Sequence, residues 1–326
     1  MKISRLSSLA FLVTSFVCAA PPSDSYTQAL WVFPDTTHAN PVTDATARQT
    51  LVANSAASYV NALYVSVYAY PENSAGRRMY NEAAISDLIT RAHAKGISVH
   101  AAYGAPDWPS LGCDASGFPQ QRMQEVVAYN AAHPTAKFDG VVLDVEPLEP
   151  QSEADFQALL AQYDCIRGTL ASAGMKLSAA IRFFWDTTLE YPAGSGITKK
   201  VYEHIIGMDL RNVVVMGYRD FAGPMDCSTN GIVCLDKDEI AYANSIGKSA
   251  MVLAGAETSD PATTTAISNR ETFFEEGQSA MNAAAAAVFY AFNGRFGGFA
   301  VHNYQNAYLS GVNTKWPTRN GSMGGK

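Results

Sequence analysis

The chain has 326 residues, 48% of them hydrophobic and 16% charged, with a formal net charge of -7. That length suits one large barrel or two ordinary domains with a sizeable core. The acidic balance, with no Lys/Arg cluster, argues against nucleic acid and anionic membrane surfaces as partners.

Residues 1–20 combine Lys2 and Arg5, a short apolar run and a small-residue zone at Cys18-Ala19-Ala20. This is the pattern of a signal peptide cut after Ala19 or Ala20, and it predicts a secreted protein with one domain over residues 21–326. No later stretch has the length and apolarity of a membrane span. The first strand is predicted over 29–34, followed by a helix over 45–59 and a second strand over 62–70. A helix over 81–95 is stopped by Gly96, and a third strand runs over 97–105. Helix 119–132 ends before Pro134, and a fourth strand spans 138–146. Ser152 opens a helix with Asp155 at the capping-box position, and Gly174 closes it. A fifth strand is expected over 176–185, a helix over 200–208 and a sixth strand over 212–220. The pattern continues with helix 236–246, strand 249–257, a long helix over 270–292 and an eighth strand over 298–304.

Eight strands alternating with helices indicate parallel βαβ units that close as an α/β (β/α)8 barrel. An open doubly wound sheet would want a Gly-rich phosphate loop after the first strand, and Pro34-Asp35-Thr36-Thr37 is not one. In the barrel, every strand's C-terminal end lies on one face. Asp107, Trp108, Asp144, Glu146, Arg182, Trp185, Tyr218, Asp220, Glu257, His302 and Tyr304 all fall at such ends.

The fourth strand is the most informative. Side chains alternate along a strand, so Val142, Asp144 and Glu146 share one face while Val141, Leu143 and Val145 share the other. Carboxylates emerging at a strand end suit acid/base chemistry, above all glycoside cleavage. Arg182, once buried, wants a carboxylate and can pair with Asp144 or Glu146 or bind an anionic sugar. Trp108 and Trp185 are candidate sugar platforms, with Asp107, Arg219, Asp220, His302 and Tyr304 as further ligand contacts. His100, deeper on an inner strand, reads as a core histidine. No HExxH, P-loop or GxSxG element occurs, so no metal or cofactor is expected.

Asp139-Gly140-Val141-Val142-Leu143-Asp144-Val145-Glu146 resembles the DGxDxDxE signature of family 18 chitinase-like glycoside hydrolases. Val215-Met216-Gly217-Tyr218 is similar to the sixth-strand MxY element of that superfamily. The resemblance implies Glu146 as general acid, Asp144 as its electrostatic partner and Tyr218 as the holder of a substrate acetamido group. Val142 stands where the family has its first inner Asp, and Arg219 follows the Tyr where Asp is usual. The chain also resembles secreted barrel proteins with an LDVEP fourth strand, here Leu143 to Pro147, and a late Glu-Thr, here Glu257-Thr258. Two alternatives remain open at this point. Glu146 and Glu257 can be the acid/base and nucleophile of a retaining glycosidase, with carboxyls about 5–5.5 Å apart. Or the barrel binds carbohydrate without cleaving it.

The mature chain would carry four cysteines, which allow three pairings. Cys227 and Cys234 bracket a turn-rich loop and are expected to pair; Cys113 with Cys165 follows by elimination. A metal site is the alternative reading of the cysteines, without a CxxC element to support it. Asn320-Gly321-Ser322 is a glycosylation sequon, and a monomer is expected.

Overall fold

The computed structural model describes residues 26–34, 38–68, 79–114, 117–263 and 267–305. The expected signal peptide and the Asn320 sequon lie outside these residues. Ten strands and seven helices are described: β1 (Thr27–Val32), α1 (Ala45–Ala57), β2 (Ala62–Ser66), α2 (Glu82–His93), β3 (Ser98–Tyr103), α3 (Phe118–Ala132), β4 (Gly140–Leu143) and α4 (Glu153–Ser172). Then come β5 (Lys176–Ile181), β6 (Thr188–Glu190), β7 (Thr198–Lys200), α5 (Val201–Gly207), β8 (Val213–Val215), α6 (Ile232–Ser245), β9 (Val252–Glu257), α7 (Gln278–Ala291) and β10 (Gly298–His302). Eight strands close a parallel barrel in the order β1-β10-β9-β8-β5-β4-β3-β2, and β6 and β7 form a separate antiparallel pair. The expected α/β (β/α)8 barrel is therefore the fold.

The strand alternation sorts two cores. Inside the barrel, Ala29, Trp31, Ala62, Tyr64, Ala102, Val142, Ala180, Val214, Leu253 and Ala300 pack together. Small residues dominate that set because Trp31 and Tyr64, edge-to-face at 4.9 Å, fill most of the lumen. His100 is fully buried beside Tyr64, and neither ring nitrogen has a hydrogen-bond partner. Burial, then the Arg211 charge, pushes its pKa down to about 3, so it is a neutral core histidine. Outside, Val141, Leu143 and Val145 join the larger core under the helices. The capping box of α4 is present, with Asp155 N–H donating to Ser152 Oγ at 3.2 Å and Ser152 N–H donating to Asp155 Oδ2 at 2.8 Å.

Several elements differ from the sequence-based expectation, β2 and β8 among them, ending at Ser66 and Val215. β4 and β5 end at Leu143 and Ile181, several residues early, because the chain leaves the ladder where it reaches the barrel mouth. The β6–β7 hairpin was not expected, since its strands are three residues each. The last long helix starts at Gln278 rather than 270. The preceding residues instead run beside the mouth: Thr272 bridges Glu257, and Phe273 N–H donates to the Glu257 carbonyl at 2.9 Å. Thr272 and Phe273 are fully buried there, and the Arg and Glu residues that flank them are good helix formers, so the segment is easily read as helix.

Candidate active site

The site is built from the inward residues just past the strands. Asp144 continues β4 by one bond, its N–H donating to the Tyr103 carbonyl at 2.8 Å. With Val142 facing inward, Asp144 and Glu146 emerge on the same side at the mouth, both half-buried. Asp144 Oδ1 is sealed from solvent and has no hydrogen-bond partner. Burial, then the charge of Glu146, pushes the Asp144 pKa up to about 7; His302 and Arg182 pull the other way. Arg182, the first residue past β5, donates from Nε to Glu146 Oε2 at 2.6 Å and from Nη1 to Glu149 Oε1 at 2.7 Å. Its guanidinium lies 5.5 Å from the ring centre of Phe184, which is 46% exposed.

The facing wall comes from β8, β9 and β10. Glu257 and His302 are direct cross-strand partners in register, so both side chains point inward together. His302 Nδ1 lies 2.8 Å from Glu257 Oε2, while Glu257 Oε1 accepts the Thr258 and Ser259 N–H groups at 2.7 Å each. Burial would raise the Glu257 pKa. The His302 charge and these hydrogen bonds outweigh it and hold the carboxyl below its usual range. The His302 pKa is raised: burial opposes its charge, but Glu257 and, less strongly, Asp144 and Glu146 favour it. The His302 ring lies 6.4 Å from that of Tyr218 and 5.4 Å from that of Phe33. The Tyr218 phenol is pushed well above its normal pKa by burial and then by Glu257, Asp144 and Glu146, so it stays a hydrogen-bond donor. Its ring lies over Gly255, where a Cβ would sit 2.8 Å from Tyr218 Cε1.

Six expected site residues thus converge: Asp144, Glu146, Arg182, Tyr218, Glu257 and His302. Others do not. Trp108 and Trp185 are fully buried and Tyr304 is 1% exposed, so their rings belong to the core and offer no face to a sugar. The reason is local: the chain turns outward after β3 and β5, tucking Trp108 against Tyr103 at 6.1 Å and Trp185 against Phe156 at 5.7 Å. Asp107 is exposed beside the short 3-10 turn Trp108–Leu111. Arg219 is half-buried, donating to the Tyr218 carbonyl at 2.6 Å, with Glu271 at 3.6 Å. Asp220 is half-buried; its N–H donates to the Arg270 carbonyl at 3.1 Å, and its own burial, then Glu276, raises its carboxyl pKa. Sequence reasoning missed Glu149, Phe33 and Phe184. Glu149 and Phe184 could have been found two or three residues beyond Glu146 and Arg182 on the same loops.

Glu257 as an attacking nucleophile does not fit this geometry. It is 1% exposed and both oxygens are engaged. Disulfides join Cys113 to Cys165 and Cys227 to Cys234. Among the described residues no helix is long and apolar enough to cross a membrane, and no group of three or more His, Cys, Asp and Glu is arranged to hold a metal ion.

No family model matches the chain, and no curated protein matches it in sequence. Solved structures do match in shape. A chitinase from Bacteroides thetaiotaomicron is 10% identical with a TM-score of 0.56, over 86% of this chain and 90% of that one. Catalytic domain 2 of the Ostrinia furnacalis Group II chitinase is 11% identical with a TM-score of 0.55, over 89% and 92%. A GH18 chitinase from Cycas revoluta, solved in complex with (GlcNAc)4, is 13% identical with a TM-score of 0.51, over 86% and 95%. The chain has the (β/α)8 barrel fold of the family 18 chitinases.

Proposed function

We propose that the protein is a secreted glycoside hydrolase that cleaves a poly- or oligosaccharide containing an N-acetylated amino sugar. The observation that carries this reading is the convergence of Asp144, Glu146 and Tyr218 at the C-terminal mouth of a chitinase-like barrel. Glu146 is the proton donor. Its Oε2 is held by Arg182, so Oε1 carries the proton to the glycosidic oxygen. The substrate's acetamido oxygen attacks the anomeric carbon as the glycosidic C–O bond breaks. Tyr218 donates to the acetamido group and Asp144 accepts its N–H. Water then opens the cyclic intermediate, with Glu146 taking its proton. The Cycas enzyme's (GlcNAc)4 complex supports a sugar of this class.

A second reading, a barrel that binds carbohydrate without cleaving it, is favoured by two observations. Val142 is apolar and fully buried, and Glu146 is tied to Arg182. Incubation with N-acetylglucosamine oligosaccharides decides between the two, with reducing ends and binding heat measured on wild type and Glu146→Gln. Turnover by wild type that is lost in the variant supports the hydrolase. Binding by wild type without turnover supports the second reading, and neither binding nor turnover removes both.

A further inference from the structure

Two ionisable groups at the mouth have no part in the carboxylate chemistry just described. Glu257 cannot reach a ligand: Thr258 and Ser259 N–H groups and His302 Nδ1 take up its two oxygens, and it is 1% exposed. His302 can. Its side chain keeps 26% exposure, and its ring is flanked by Phe33 and Tyr218. An imidazole whose Nδ1–H donates to a buried carboxylate has its tautomer and tilt fixed, and Nε2 is left to face outward.

We propose that Glu257 and His302 form a dyad in which Glu257 positions the ring as an imidazolium and His302 donates from Nε2–H to an oxygen of the bound sugar. His302 is then a substrate-binding residue and Glu257 a positioning residue, not a nucleophile. Its surroundings fit this charge. Glu257 faces it from β9, Asp144 and Glu146 from the end of β4, the phenol of Tyr218 from beyond β8 and Phe33 from beyond β1. Arg182, the nearby fixed cation, is turned to Glu146 and Glu149. A hydroxyl or acyl oxygen suits such a donor, and an ammonium group does not.

The test has two arms, of which only the kinetic one rests on the hydrolase reading. In the first, the His302 ring is followed by NMR titration, its signal assigned by its loss in His302→Gln. Wild type should titrate above 6.5, and Glu257→Gln should bring the midpoint to 6.5 or below. A wild-type midpoint at or below 6.5, or one unmoved by Glu257→Gln, overturns the dyad. In the second, His302→Gln and Glu257→Gln should each lose about 10- to 100-fold in kcat/KM, the scale of one charge-assisted hydrogen bond. Activity needs the imidazolium, so it falls as pH rises through the His302 pKa. Glu257→Gln should therefore move the alkaline limb to lower pH, which a merely structural role would not do. Near-normal kcat/KM in both variants, or an unmoved limb, overturns the proposal. If Glu257→Gln does not fold, the wild-type titration and the His302→Gln kinetics decide. If wild type cleaves nothing, the hydrolase reading fails and the titration alone decides the dyad.

Discussion

Glu257 and Asp236 are equally hidden from solvent, at 1% and 0% exposure, and burial has opposite outcomes for them. At the mouth, two backbone N–H groups and an imidazole meet the Glu257 carboxylate, and its pKa falls. Behind β8, neither Asp236 oxygen has a hydrogen-bond partner, and Oδ1 lies 1.9 Å from where a Cβ on Gly217 would be. Burial, then the charge of Glu239, pushes the Asp236 pKa well above normal. Glu239, also buried on α6, is raised to about 8, chiefly by burial. The fold therefore keeps Glu257 charged at the mouth, where partners stabilise it, and Asp236 neutral behind the wall, where neither oxygen has one. Mouth acids should govern ligand chemistry, and the acids under α6 should govern only pH-dependent stability.

The largest effect that could break this division is at Glu146. Glu146→Gln should lower hydrolysis on the order of 10²–10⁴-fold with little change in Tm, because the residue is half-buried at a rim. A large Tm loss with activity retained would make the mouth structural.

Glu257→Gln should lower Tm on the order of 5 °C at pH 6, from the loss of charge-assisted hydrogen bonds. The folded-state pKa of Glu257 lies below 4.5, so its stabilisation is complete above about that pH and is lost as pH falls. The Tm gap should accordingly narrow in calorimetry as pH falls below 4.5.

The double variant Asp236→Asn, Glu239→Gln should behave with the opposite sign. Raised folded-state pKa values mean that wild type loses stability as pH rises from about 4 toward 8. The variant should melt close to wild type near pH 4 and a few degrees, roughly 2–4 °C per kcal/mol regained, above it at pH 8. A gap that narrows with rising pH would contradict the neutral-acid account. Its activity at pH 6 should be unchanged.

The smallest effect belongs to Phe184, whose exposed ring beside Arg182 offers a sugar-stacking face. Phe184→Ala should raise KM by about 3- to 10-fold at constant kcat, the scale of one aromatic contact. Unchanged KM would remove the ring from the ligand surface.

The barrel was legible because eight short apolar runs alternate with seven helical stretches, and the inner placement of Val142 and the carboxylates follows from strand geometry alone. The Arg182 contact with Glu146 was foreseen as a need for a carboxylate, and the second contact with Glu149 was not. The errors share a physical cause. Trp108, Trp185 and Tyr304 sit two to five residues past their strands, where alternation no longer holds and the chain's turn sets the direction of each ring. Glu257 was marked by its strand position, but its engagement by Thr258, Ser259 and His302 depends on neighbouring backbone that no spacing rule encodes.

The ring of Tyr218 rests where residue 255 has no side chain. The depth of the mouth is thus set by a missing carbon atom. Gly255→Ala would press a methyl against the phenol and, at 2.7 Å, against the Val215 carbonyl of the neighbouring β8, without changing any of the acids. One methyl group therefore crowds both the phenol and the edge of β8, and the mouth is closed by a change that touches none of its carboxylates.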